Sequence, residues 1–215
     1  MTKSSSPDST ADALIPRDQL NPLALFADWL AAAGATEPND ANAMVLSTVG
    51  ESGRPSSRVV LLKGLETGPP QPGFVFYTNL HSRKGRELDL HPFASLNFHW
   101  KSQLRQVRIE GRITAVSHAE ADDYFASRPY LSRIGAWASQ QSQPLSERQV
   151  FLDQIADYCQ KHPEPTVPRP PHWSGFKLIP DRFEFWQNQN YRLHDRLVYE
   201  REAETAPWQT LTLYP

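Results

Sequence analysis

The first periodic segment of the chain has the hydrophobic spacing of a helix. Asn21 followed by Pro22 is typical of an N-cap and a first helical residue, because proline lacks the N–H that the first turn leaves unbonded. Apolar residues then recur at helical spacing up to Ala33, and Gly34 is a suitable stop. The pattern predicts a helix from about residue 22 to residue 34.

The following residues mostly have strand-like patterns. Apolar and polar positions alternate most clearly in 103–116, where one face carries Val107, Ile109, Ile113 and Ala115. The predicted strands are 44–49, 58–63, 74–78, 93–100, 103–116, 175–186, 191–201 and 208–213. Regular alternation of strands and helices is missing. The sequence therefore predicts a mainly β, antiparallel barrel with peripheral helices, and not a doubly wound sheet.

Three short helices are expected at the periphery of this barrel. Residues 81–88 resemble a short helix capped by Ser82, and the tetrapeptides at 117–120 and 146–149 resemble capping boxes that open two further helices. Residues 163–171 contain five prolines and predict a rigid connector. The polar residues 1–19 predict a disordered or lid-like tail, which leaves 20–215 as a single domain.

Composition narrows the class of protein. The chain has 39% hydrophobic and 21% charged residues and a net charge of −2, which disfavours a general nucleic-acid binder. No apolar run is long enough to span a membrane, and the N-terminus lacks the apolar core of a secretory signal. A single cysteine and the absence of histidine pairs at metal-ligand spacing argue against a disulfide or a zinc site. We expect a cytoplasmic protein without a resident metal.

Residues 82–88 have the features of an anion site. Arg83, Lys84 and Arg86 fall in the first turn of the predicted helix, where the helix dipole disfavours cations. Free N–H groups and basic side chains at such an end are suited to a phosphate. The alternative is a solvated helix start.

Two further groups could contact an anionic ligand. Tyr124 and Arg128 are four residues apart near a helix end, with Ser132 beyond, and could hold a second phosphate. Arg192, His194 and Arg196 would share one face of a strand, where they repel each other unless they face solvent or an anion. An ordinary helix-end arginine and an ordinary surface histidine are the respective alternatives.

Taken in order, several short motifs resemble the pyridoxamine/pyridoxine 5′-phosphate oxidase family from about Leu20 to the C-terminus. They are RVVLLK (58–63), FYTN (76–79), SRK (82–84), RQV (105–107), YF (124–125), SRP (127–129), IGAW (134–137), QS (141–142), FWQ (185–187) and RLHDR (192–196). The resemblance implies an FMN-binding split β-barrel and a homodimer, with one FMN at each of two symmetric subunit interfaces.

The resemblance also implies roles for individual residues. Those that resemble FMN contacts are Arg58, Val59, Val60, Leu61, Leu62, Lys63, Tyr77, Thr78, Arg83, Lys84, Gln106, Gln141, Ser142, Trp186 and Arg196. Those that resemble substrate contacts are Lys63, Tyr124, Arg128, Ser132, Arg192 and His194. The implied reaction oxidises pyridoxamine or pyridoxine 5′-phosphate with O₂ to pyridoxal 5′-phosphate and hydrogen peroxide, with ammonia released from the amine. Arg192 and His194 would act as the catalytic pair that orients the substrate.

The sequence departs from the family pattern at both ends. The first 20 residues contain Arg17 but no tyrosine, so an N-terminal lid over the substrate is in doubt, and Thr212 stands where the family often has arginine. Two alternatives share the fold: a flavin oxidase for another ring substrate, as in phenazine biosynthesis, and a non-enzymatic module that binds flavin or pyridoxal phosphate. The first would be expected to differ at the substrate positions, and the second has no need of Arg192 and His194.

Overall fold

The computed structural model describes residues 14–68 and 71–215. The helices are α1 (Pro22–Thr36), α2 (Arg83–Leu90), α3 (His118–Ser127), α4 (Tyr130–Ala138) and α5 (Arg148–Lys161). The strands are β1 (Ala43–Val49), β2 (Pro55–Leu61), β3 (Gly64–Glu66), β4 (Gly73–Asn79), β5 (Phe93–Trp100), β6 (Arg105–Ala115), β7 (Trp173–Gln187), β8 (Asp195–Glu200) and β9 (Gln209–Thr212). Short 3₁₀ turns lie at Lys101–Gln103 and Asn190–Arg192.

The strands form one antiparallel sheet in the order β2-β1-β5-β6-β7-β4-β3, with β8 pairing to β7 and β9 to β8. The 15 residues of β7 pair with β6 along most of their length, with β4 at one end and with β8 at the other. A bulge at Glu110/Gly111 lets β6 bend. The expected mainly β fold with peripheral helices is confirmed.

Helix α1 covers the concave face of the sheet. Asn21 accepts a hydrogen bond from the Leu23 N–H at 3.0 Å, as an N-cap does, and the helix runs two residues past Gly34. Phe26 is fully buried, with its ring 5.0 Å from Phe74 and 4.9 Å from Phe98. Since aromatic side chains bury a large apolar area, this cluster anchors the helix in the core.

The helices that follow β6 differ from the prediction in two respects. Ser117 and Glu120 form the expected capping box, but Glu147 precedes α5 without any side-chain capping bond, so the second predicted box is wrong. A third helix, α4, was not expected, because it starts after Pro129 and no polar side chain caps it. These helices enclose a smaller core around Phe125, Ile134, Val167 and Trp173.

The segment before β8 also differs from the prediction. A strand was expected from residue 191, which would place Arg192, His194 and Arg196 on one face. Tyr191 and Arg192 instead adopt left-handed φ angles of 57° and 64°, and the strand begins at Asp195. On β6, Ala115 is exposed and does not continue the buried face of Val107, Ile109 and Ile113.

The end of the predicted tail contacts the domain. Ile15 is 2% exposed and its N–H donates to Asp195 at 2.8 Å, and Arg17 forms an ion pair with the same carboxylate. Residues 1–13 lie outside the described residues, so the division into a tail and a single domain from residue 20 stays a prediction. Within the described part of the chain, every helix is too short or too polar to cross a lipid bilayer.

Candidate active site

A cleft of about 860 Å³ opens between β2, β4, the start of α2 and the α3–α4 region. It brings together most of the residues that the sequence assigned to cofactor or substrate. These are Arg58, Val59, Val60, Leu61, Lys63, Tyr77, Thr78, Arg83, Lys84, Tyr124, Arg128, Ser132, Gln141 and Ser142. Five of them are basic, and none of the described residues that line the cleft is acidic. The cleft therefore favours an anionic ligand.

Arg58 and Lys63 both reach this cleft although they are five residues apart. In a continuous strand they would point to opposite faces. Strand β2 ends at Leu61, and the Lys63 N–H donates to the carbonyl of Val75 on β4 at 2.8 Å. The change of direction after Leu61 therefore turns Lys63 to the same side as Arg58.

The N-terminus of α2 forms one cationic end of the cleft. Ser82 caps the helix by accepting from the Gly85 N–H at 3.2 Å. Lys84 Nζ donates to Thr78 Oγ1 at 3.1 Å and to Gln141 Oε1 at 3.0 Å. Burial, with a smaller contribution from Arg58, lowers the pKa of Lys84 to about 8. Burial therefore disfavours the charge of this lysine, and a nearby anion would favour it.

Behind this end lies the carboxylate of Glu87, which is 6% exposed. Its Oε2 accepts from Thr48 Oγ1 at 2.5 Å, from Ser56 Oγ at 2.6 Å and from Arg58 Nη2 at 3.2 Å. Its Oε1 accepts from Arg83 Nε at 2.8 Å. Burial alone would raise the pKa of Glu87, but these hydrogen bonds from Ser56, Thr48, Arg83 and Arg58 outweigh it and bring the pKa to about 2.

The C-terminal end of α3 forms a second cationic part of the cleft. The Arg128 guanidinium lies 4.8 Å from the centre of the Trp173 ring, and its buried Nη1 has no hydrogen-bond partner among the described residues. Burial lowers the pKa of Arg128, while the nearby Tyr124 acts in the opposite direction. An unpaired buried donor is costly unless a ligand satisfies it, so Nη1 indicates a binding site for an anion.

Aromatic rings form the wall beside Arg128. The Tyr77 ring stacks on Tyr124 at 4.0 Å and on Trp173 at 5.3 Å, with interplanar angles of 12° and 7°. Burial is the main reason that the pKa of Tyr77 is raised, with Glu120 contributing next. Tyr77 therefore stays neutral and packs as a flat, rigid ring.

Six predicted site residues lie outside this cleft. Leu62 is 5% exposed and belongs to the hydrophobic core. Gln106, Trp186 and Arg196 are neighbours in register across β6, β7 and β8. Arg192 and His194 precede β8, with the Trp186 and His194 rings 4.6 Å apart. Within one chain, these last five residues, without Leu62, form a second group that does not line the cleft.

The members of this second group are held by local contacts. Arg196 donates to Glu184 Oε1 through Nε at 2.9 Å and through Nη2 at 2.7 Å. Glu184 is 3% exposed and also pairs with Arg108 and Arg182. The Gln189 N–H donates to His194 Nδ1 at 3.2 Å, which leaves Nε2 as the protonated nitrogen of a neutral His194. Arg192 is exposed.

Sequence reasoning missed Ser56, Trp173 and Phe151, which also line the cleft, and Glu87 behind it. Trp173 begins β7 and meets Arg128 only through the fold, so no spacing links the two. Glu87 has one usable signal, because it lies four residues after Arg83 on the same helix face. The described residues contain no group of three or more His, Cys, Asp or Glu side chains arranged to hold a metal ion.

Two family models match the chain. Residues 31–162 match "Pyridoxamine 5′-phosphate oxidase", and residues 173–215 match "Pyridoxine 5′-phosphate oxidase C-terminal dimerisation region". A pyridoxine/pyridoxamine 5′-phosphate oxidase of Rhodospirillum rubrum is 55% identical over 91% of this chain and 96% of its own. The protein of that name from Azorhizobium caulinodans is 53% identical over 90% of each chain.

Solved structures agree with this fold. PhzG from Burkholderia lata, crystallised with tetrahydrophenazine-1-carboxylic acid, has a TM-score of 0.87 and 32% identity, covering 96% of this chain and 100% of its own. A pyridoxamine 5′-phosphate oxidase-related, FMN-binding protein from Nostoc punctiforme has a TM-score of 0.72 at 17% identity, covering 92% of this chain and 100% of its own, and so shows the shared fold. Both the sequence matches and the split-barrel topology lead to one assignment: this chain belongs to the pyridoxine/pyridoxamine 5′-phosphate oxidase family.

Proposed function

We propose that the protein oxidises pyridoxine 5′-phosphate or pyridoxamine 5′-phosphate to pyridoxal 5′-phosphate, with O₂ reduced to hydrogen peroxide. The alcohol loses two electrons and two protons at C4′; the amine also takes up water and releases ammonia. The observation that carries the proposal is that a single cleft has two separate cationic parts, one at the start of α2 and one at Arg128. A cofactor phosphate and a substrate phosphate would require two such parts.

The cofactor is a flavin, and we propose that it is FMN. Its phosphate would bind at the start of α2, where Arg58, Arg83, Lys84 and Ser142 line the cleft. The fit is supported by the buried Lys84 next to Arg58 and Arg83, because charged donors suit a phosphate monoester. When bound, the flavin supplies the two-electron acceptor that the protein side chains lack. The remaining predicted cleft contacts of FMN are Val59, Val60, Leu61, Lys63, Tyr77, Thr78 and Gln141.

The substrate phosphate would bind at the other part of the cleft. Lys63, Tyr124, Arg128 and Ser132 offer an ammonium, a phenol, a guanidinium and a hydroxyl there. Arg128 Nη1 would gain the partner that it lacks within the chain. Stacking of the guanidinium on Trp173 keeps its plane fixed, which favours a phosphate held through two N–H groups.

A second copy of the chain would complete the site. Residues 173–215 match a dimerisation region and contain Trp186, Arg192, His194 and Arg196. In a symmetric dimer, these residues of one copy, together with Gln106, would lie against the cleft of the other. We propose that Arg192 and His194 then orient the substrate C4′ carbon toward the flavin and stabilise charge that develops on the substrate.

An anaerobic spectrum of the purified holoprotein tests the proposed reaction. Addition of pyridoxine 5′-phosphate should bleach the visible flavin absorption, and air should restore it with formation of pyridoxal 5′-phosphate and hydrogen peroxide. Pyridoxine without its phosphate is the matched control and should bleach the flavin far more slowly. A flavin that neither phosphorylated vitamer reduces would overturn the substrate assignment and favour a phenazine-type ring substrate or a binding module.

A further inference from the structure

Glu87 is a buried acid at a site that otherwise selects for anions. It does not line the cleft, and its side chain is 7% exposed. Thr48, Ser56, Arg58 and Arg83 all donate to it, and they come from β1, β2 and α2. With a pKa near 2, Glu87 stays ionised at any pH at which the protein would work. A carboxylate placed so close to a phosphate site needs a reason, because its charge repels the ligand.

The geometry supplies that reason. Arg58 lies on β2 and Arg83 in the first turn of α2, and they contact opposite oxygens of the same carboxylate. Arg83 binds through Nε, and its two Nη groups make no hydrogen bond to the described residues. Long arginine side chains lose much rotamer freedom when a ligand binds. Glu87 therefore removes part of this freedom before the ligand arrives.

We propose that Glu87 is a positioning residue for the flavin phosphate, and this inference rests on the proposed function. It anchors Arg83 through Nε, which leaves both Nη groups for the ligand, and it holds the Arg58 guanidinium together with Thr48, Ser56 and the Leu46 carbonyl. Arg58, Arg83 and Lys84 together exceed the charge of Glu87 by two, which matches a phosphate dianion.

The substitution Glu87→Gln separates positioning from simple charge. Glutamine keeps the shape of the side chain but removes the negative charge and one strong acceptor. If only net charge mattered, the variant would bind FMN more tightly, because a repulsive charge is gone. Positioning predicts the opposite sign: the arginines lose their ionic anchor, and FMN binding weakens about tenfold.

The measurement is the Kd of the flavin-free homodimer for FMN and for riboflavin, followed by quenching of flavin fluorescence. Riboflavin lacks the phosphate, so its Kd should change by less than about twofold in Glu87→Gln. The matched control is Glu66→Gln, which removes the 2.6 Å ion pair with Lys177 away from the cleft lining and should leave both Kd values unchanged. Thr48→Val keeps the charge of Glu87 but removes one donor to it and one acceptor of Arg58 Nη1, so it should weaken FMN binding in the same direction and less.

Each outcome bears on a different statement. Tighter FMN binding by Glu87→Gln, or equal weakening for FMN and riboflavin in both Glu87→Gln and Thr48→Val, would overturn the positioning role. If Glu87→Gln does not fold, Glu87→Asp, which keeps the charge but shortens the reach to Arg58 and Arg83, decides by the same comparison. A wild-type protein that binds FMN and riboflavin equally well would instead contradict the placement of the flavin phosphate in the proposed function.

Discussion

Lys84 is almost completely buried, and its pKa lies close to neutral pH. It is 8% exposed, and burial followed by repulsion from Arg58 lowers its pKa to about 8. Below pH 8 the ammonium is already present in the flavin-free protein. Above pH 8 a phosphate ligand must bind together with a proton, because the ligand favours the charged lysine.

FMN binding should therefore depend on pH in one direction only. From about pH 7 to about pH 8 the Kd should be nearly constant, since the phosphate is already a dianion. Above about pH 8 the Kd should rise by up to about tenfold per pH unit. Fluorescence titrations at several pH values measure this, and Lys84→Arg should flatten the profile because arginine keeps its charge. A wild-type profile that stays flat to about pH 9.5 would show that Lys84 does not hold the phosphate.

Arg128 leads to a second prediction for a single residue. Lysine at this position keeps the charge but loses the flat guanidinium that stacks 4.8 Å from the Trp173 ring. We expect Arg128→Lys to raise the KM for pyridoxine 5′-phosphate about tenfold or more, with the Kd for FMN nearly unchanged. Steady-state kinetics and flavin titration give the two values. Equal losses in substrate binding and in FMN binding would show that Arg128 does not act at the substrate phosphate alone.

Residues in short motifs were predictable as neighbours in space, while their roles stay predictions. Arg83, Lys84, Tyr124 and Arg128 were assigned to phosphates from their position at helix ends, and all four line one cleft. Trp173 was not predictable, because it is 45 residues from Arg128 and meets it only through the path of β7. Leu62 belongs to the core and is not among the residues that line the cleft.

Helix α2 brings the proposed phosphate site close to the backbone of the preceding loop. A Cβ at Gly85 would lie 2.1 Å from the carbonyl oxygen of Leu80, a contact that no rearrangement of a side chain can relieve. The glycine is therefore needed for the helix to approach Leu80. Its N–H also donates to Ser82, which caps the helix.

Alanine at Gly85 should accordingly destabilise the protein by about 1–3 kcal/mol and weaken FMN binding, because the start of α2 must shift. The matched control is Gly34→Ala in α1, where a Cβ meets nothing within 4 Å. That change should stabilise the protein by about 0.5–1 kcal/mol through a lower entropy of the unfolded chain. Urea unfolding measures both, and similar effects in the two variants would contradict the steric argument.

At the scale of elements, a clear pattern or a side-chain cap was sufficient for prediction. Strand β5 has the predicted bounds, and the capping box of α3 is present. Helix α4 was not predicted, because Pro129 offers no side-chain cap. The turn at Tyr191 and Arg192 could not be foreseen, because residues other than glycine seldom adopt left-handed φ angles and neither residue type favours them.

At the scale of the whole molecule, the predicted site residues fall into two groups on one chain. Lys63, Tyr124, Arg128 and Ser132 lie at the cleft, while Arg192 and His194 lie before β8. The sequence order of motifs indicated which residues belong together but not that one chain separates them. Only the topology shows this, since β7 pairs with β4 at one end and with β8 at the other.

If two copies share each site, defects in the two groups should complement each other. Homodimers of Arg128→Ala or of His194→Ala have two defective sites and should show little activity. Co-expression gives hybrids in which both defects fall in one site and the other is intact. With random pairing about half of the dimers are hybrids, so about a quarter of wild-type activity should return.

Co-expression of Arg128→Ala with Lys63→Ala is the matched control, because both residues lie at the same cleft and every site stays defective. Activity per flavin of the unfractionated co-expressed protein measures the recovery, and separately tagged, co-purified hybrids should show about half of wild-type activity. No recovery in the test pair would show that each chain builds its site alone, whereas recovery in the control pair would show that Lys63 and Arg128 of one chain do not serve the same site.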